Sequence, residues 1–121
     1  MNRIYLTMLS FLIAGIINGQ SVIKLDSIKQ HIGDSVTVCG KVYGGLYLEN
    51  AKNSPTLLNI GANYPNQLLT VVIWGDVRKD FTVKPEEDFA NKEICITGKV
   101  ELFKEKAQIV IRNPTQIGLK E

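Results

Sequence analysis

With 121 residues, 45% of them hydrophobic and 21% charged, the chain has room for one compact domain and no second. Its 14 basic and 12 acidic side chains leave a net charge of +2, too little to draw it to nucleic acid or membrane by charge alone. One histidine and two cysteines cannot build most metal sites, so neither a metal nor a cofactor is expected.

The N-terminus opens with a positive residue, Arg3, before an apolar run from Ile4 to Ile17 and the polar stretch Asn18-Gly19-Gln20. That order is the mark of a secretory signal, and a run of about 14 residues is short of the roughly 20 that span a bilayer. Residues 1–19 are therefore expected to be a cleaved signal peptide, cut after Gly19, and the protein to be exported to the periplasm or medium. Cleavage would remove one basic residue, Arg3, leaving a charge near +1.

Residues 20–32 form an extension with a short helical turn, Asp26 to Ile32, for which Gly33 is the stop. The first strand follows as Val36 to Val42, with Val36, Val38 and Val42 on one face. Thr56 to Ile60 is the second strand, bounded by Asn53-Ser54-Pro55 and Gly61-Ala62-Asn63. Leu68 to Trp74 is the third and most apolar strand. One helix is expected next, from Pro85 at its first position to a left-handed cap at Asn91, with Glu86, Glu87 and Asp88 in its first turn.

The fourth strand, Ile94 to Val100, repeats the pattern of the first, with Ile94, Ile96 and Val100 on its apolar face. Gly40 and Gly98 fall on those apolar faces, where a missing side chain permits the sharp bend that a small barrel needs. A turn at Lys104-Glu105-Lys106 leads into the fifth strand, Ala107 to Arg112. Five short strands with a helix between the third and fourth predict an all-β, five-stranded Greek-key barrel of the OB type over residues 33–118, with 119–121 as a tail.

Residues 31–118 resemble the OB-fold domains of secreted bacterial proteins, including those that accompany staphylococcal-type extracellular nucleases. The resemblance is carried by His31 to Val38, Leu57 to Gly61, Leu69 to Ile73, Ile96 to Val100, Ala107 to Ile111 and Asn113 to Ile117. These are core and turn residues, so the resemblance implies a fold and no reaction. The nuclease domain itself is absent, and no enzymatic activity is expected.

Cys39 and Cys95 point away from the apolar faces of the first and fourth strands, which are neighbours in an OB barrel. In an oxidising compartment they are expected to be bridged, although two separate buried thiols fit the same alternation. Closing a loop of about 57 residues would stabilise the domain by roughly 4 kcal/mol. His31, at the end of the helical turn, reads as a cation near a helix C-terminus, and no local motif gives it a catalytic partner. The carboxylates of Glu86, Glu87 and Asp88 are explained by their first-turn position.

OB domains bind single strands with the second and third strands and flanking loops, using flat rings for stacking and cations for phosphates. The candidates for ligand binding are Tyr43, Tyr47, Lys52, Tyr64, Trp74, Arg78, Lys79 and Lys104. Trp74 is out of phase with Leu69, Val71 and Ile73 and should be exposed at the strand end. A monomer that weakly binds single-stranded nucleic acid is the first expectation. An envelope-protein partner and an oligosaccharide are the alternatives, and a charge near zero weighs against strong binding to any phosphate polymer.

Overall fold

Alternation of fully buried residues with half-buried or exposed ones marks the barrel strands and fixes which face of the sheet becomes the core. The computed structural model describes residues 21–121; the expected signal peptide, residues 1–19, lies outside them. The strands are β1 (Ser21–Ile23), β2 (Ser35–Tyr47), β3 (Thr56–Ile60), β4 (Leu69–Ile73), β5 (Glu93–Phe103), β6 (Lys106–Ile111) and β7 (Ile117–Leu119). Neighbours run β2-β3-β4-β6-β5, and β5 pairs back onto β2 to close a five-stranded barrel. β4 and β6 are parallel, whereas the other barrel pairs are antiparallel. This is an OB-fold.

Closure depends on β2 serving two partners. Its first half pairs with β5, from Ser35 opposite Lys99 to Lys41 opposite Glu93. Its second half pairs with β3, and a register shift between Val42 and Gly44 marks the bend between the two. The strand therefore continues to Tyr47, beyond the end at Val42 expected from alternation, because Gly44 and Gly45 still have a ladder to join.

Val36, Val38 and Val42 meet Ile94, Ile96 and Val100 in the interior, joined by Leu58, Ile60, Leu69, Val71, Ile73, Ile109 and Ile111. All are fully buried. The interior is tight enough to dictate two glycines. A Cβ on Gly98 would lie 2.7 Å from Ile109 Cγ2, and one on Gly40 would lie 2.8 Å from Ile60 Cγ2.

The segment expected to hold one helix from Pro85 to Asn91 holds two single turns, α1 (Gly75–Arg78) and α2 (Pro85–Asp88). The second stops early because Phe89 turns into the core and the Asn91 N–H donates to the Val42 carbonyl on β2. Asn91 does adopt the expected left-handed conformation, with φ 65°.

The segments flanking the barrel are also used. β1 adds in parallel to the outer edge of β2, and β7 adds antiparallel to β5. Between β1 and β2, the 3₁₀ helix Leu25–His31 buries Ile28 against the core and ends at Gly33, whose φ is +94°. Thr37 stands opposite Thr97 and Cys39 opposite Cys95 on the outer face of the β2–β5 seam. The threonine hydroxyls share a hydrogen bond at 2.8 Å, and the cysteines form a disulfide.

Candidate functional site

Turning Leu58, Ile60, Leu69, Val71, Ile109 and Ile111 inward leaves the other phase of β3, β4 and β6 on the outside of the barrel. Two rows cross that outer face. Leu57 stands opposite Val72, which stands opposite Val110, giving an apolar row. Asn59 stands opposite Thr70, which stands opposite Gln108, giving a polar one.

Two walls rise beside these rows. One is the β3–β4 connection, which carries Tyr64 and Pro65; the other is the β5–β6 hairpin, which carries Phe103, Lys104 and Lys106. The hairpin turns in two residues, with Lys104 at φ 50° and Glu105 at φ 66°, so Phe103 and Lys106 pair directly. Lys106 Nζ donates to the Pro65 carbonyl at 2.6 Å and ties the two walls together.

The open groove between them has a volume of about 390 Å³ and is floored by Leu57, Asn59, Thr70, Val72 and Gln108. Tyr64 and Phe103 are 75% and 55% exposed, so their rings face solvent at the rim. The Lys104 ammonium lies 5.4 Å from the centre of the Phe103 ring. Gln67 is buried under the groove; its Nε2 donates to Thr70 Oγ1 at 3.0 Å, while its Oε1 has no partner among the described residues.

Of the residues singled out in the sequence, Tyr64 and Lys104 line this groove. Tyr47 and Arg78 belong to a separate cluster. The Arg78 guanidinium sits 3.6 Å from the Tyr47 ring centre and donates to both carboxylate oxygens of Glu86, at 3.0 and 2.7 Å. Its positive charge is thus paired within the protein. Trp74 is 36% exposed and lines a second hollow, of about 340 Å³, with Asn53 and Asp76. Tyr43 lies beneath the Lys41 ammonium, 5.0 Å from its ring centre. Lys52 and Lys79 are exposed, in the β2–β3 connection and just after α1, and join neither hollow.

Leu57, Asn59, Thr70, Val72 and Gln108 were not among the sequence candidates. Their signal was the outward phase of the second, third and fifth strands, readable once the inward phase was assigned. His31 has an acidic neighbour that local motif reading missed: its Nδ1 lies 3.2 Å from Asp34 Oδ2. The two sit at the end of the 3₁₀ helix and outside the groove.

No protein-family model matches this sequence, and no curated protein sequence matches it either. Solved structures do match. A chain in the crystal structure of yeast Stn1 and Ten1 superposes with a TM-score of 0.57 at 14% identity, over 84% of this chain. A chain assigned as an aspartyl-tRNA synthetase from Leishmania major Friedlin superposes with a TM-score of 0.55 at 8% identity, again over 84% of this chain. This chain spans 63% of the first and 21% of the second. At such identities the likeness is one of fold.

Proposed function

We propose that this protein is an exported, non-enzymatic OB domain that binds single-stranded nucleic acid along the outer face of β3, β4 and β6. The observation that carries the reading is the groove itself. Two solvent-facing rings, Tyr64 and Phe103, and two lysines, Lys104 and Lys106, rim a floor of apolar (Leu57, Val72) and hydrogen-bonding (Asn59, Thr70, Gln108) side chains. Rings provide stacking surfaces for bases, and lysines follow phosphates. The fold shared with a chain named for a tRNA synthetase is in keeping with it. Export is supported by the apolar N-terminal segment and by the disulfide, a bond that persists in oxidising compartments.

The test is fluorescence anisotropy of a labelled single-stranded oligonucleotide titrated with the protein, at low and at moderate salt. An external label is needed because Trp74, the one tryptophan, is not a lining residue of the groove. Binding that weakens with salt and is further weakened when Phe103 is replaced by Ala supports the reading. No binding at low salt overturns it and redirects the search to an envelope protein or a sugar polymer, whose binding tolerates salt.

A further inference from the structure

We infer that the groove discriminates among bases and disfavours thymine and uracil. The inference rests on the nucleic-acid reading of the same face and concerns the row of polar side chains across its floor. Asn59, Thr70 and Gln108 are aligned in direct register across β3, β4 and β6, and Glu101 on β5 extends the row opposite Gln108, at the edge of the groove just beyond its lining residues. Neighbouring strands of a sheet lie about 4.7–4.9 Å apart, so the four make one continuous band.

The band contains no cation and ends in a carboxylate. No lysine, arginine or histidine forms a salt bridge with Glu101 among the described residues. A phosphate laid on this band would meet Glu101, whereas one laid along the hairpin would meet Lys104 and Lys106. The backbone of a bound strand therefore follows the lysines, and its bases turn in toward the amides.

What the band offers those bases is unequal. Asn59 and Gln108 each present an acceptor and two donors, while an ionised Glu101 only accepts. The Thr70 hydroxyl already accepts from Gln67, which leaves its own proton free to donate. Cytosine, adenine and guanine carry an exocyclic amine that can donate to Glu101. Thymine and uracil present a carbonyl oxygen where cytosine has its amine, an acceptor that a carboxylate repels, so they can meet Glu101 only through their single ring N–H, with that carbonyl beside it.

The experiment compares oligo(dC), oligo(dT) and oligo(dU) of equal length by anisotropy, with wild-type protein and with Glu101→Gln. All three bases are pyrimidines, so stacking area is matched, and oligo(dU) removes the thymine methyl. Oligo(dC) is expected to bind about tenfold more tightly than the other two, the scale of one hydrogen bond to a charged group. The glutamine amide can donate to the carbonyl, so E101Q should close most of that gap by strengthening oligo(dT) and oligo(dU). Thermal unfolding of E101Q checks that its fold is unchanged, and the wild-type comparison stands without the variant. Equal wild-type affinity for the three oligomers, or a gap that E101Q leaves intact, overturns the inference while the nucleic-acid reading survives. Failure of all three to bind at low salt removes that parent reading as well.

Discussion

Cys39 and Cys95 face each other in direct register across the seam where β2 and β5 close the barrel, their Cα atoms 4.0 Å apart and their sulfurs bonded. The seam is the barrel pairing whose strands lie furthest apart in sequence, and the bridge joins positions separated by 56 residues. Without it, the denatured chain regains the freedom of a long loop. The double variant C39A/C95A is expected to lose about 2–4 kcal/mol of stability in urea unfolding. The m-value should rise, because the unbridged denatured state exposes more surface. A loss below about 1 kcal/mol would mean that the bridge constrains little beyond what the strand ladder already holds.

Two glycines on one strand pair should respond oppositely to the same added methyl. At Gly98 a Cβ would press to 2.7 Å on the Cγ2 of Ile109, a stiff β-branched side chain that is fully buried. Gly98→Ala should cost about 1–3 kcal/mol, the usual penalty of overpacking. At Gly118 in β7 the added Cβ would meet nothing within 4 Å. Gly118→Ala should be neutral or stabilise by up to about 1 kcal/mol, through the reduced freedom of the unfolded chain. Paired thermal melts decide the matter, and equal effects at the two positions would contradict the packing described for the barrel interior.

Arg78 invites a separation of stability from binding. Its guanidinium is pinned between the Tyr47 ring and the Glu86 carboxylate, and the ion-paired side chains are only 17% and 14% exposed. Arg78→Ala leaves Glu86 without its partner and should destabilise the domain by about 2–3 kcal/mol. Because Arg78 does not line the groove, oligonucleotide affinity of the folded variant should be unchanged. A variant of full stability but lost affinity would move the binding face to the Tyr47 end.

That pairing also shows where sequence reading stops. The inward faces of Val36-Val38-Val42 and Ile94-Ile96-Val100 were legible because alternation is a local property, and the shared outward phase of the cysteines followed from it. The contact between Arg78 and Glu86 was not, because it joins two single-turn helices through the fold of the connection between them. Tyr64 and Lys104 could be picked out singly as an exposed ring and a turn cation. That they face one groove depends on the parallel pairing of β4 with β6 and on the Lys106 bond to Pro65. The two flanking strands went unseen because three-residue segments such as Ser21–Ile23 carry too little alternation to register.

If bases stack at the groove rim, Tyr64 and Phe103 should act as interchangeable platforms of similar weight. Each ring is largely exposed, so its removal costs little stability. Tyr64→Ala and Phe103→Ala should each weaken single-strand binding by about 1–3 kcal/mol, with melting temperatures near wild type. Replacement of either ring by Leu, which keeps apolar bulk and loses the flat face, should restore little. Full affinity in both leucine variants would indicate apolar contact in place of stacking.

The two lysines of the hairpin make the salt dependence quantitative. With Lys104 and Lys106 as the groove cations, log K should fall with log salt at a slope of about −1.4 for single strands, from 0.7 per neutralised phosphate. Lys104→Gln removes one cation and should bring the slope to about −0.7, with the groove walls intact. Lys106→Gln removes the same charge but also loses the ammonium bond to the Pro65 carbonyl that holds the Tyr64 wall against the hairpin. Its slope should match that of Lys104→Gln, while its affinity falls further at every salt concentration. Parallel lines of different intercept would thus separate the electrostatic part of Lys106 from its positioning part. Coincident lines would show that the bond to Pro65 does not shape the groove.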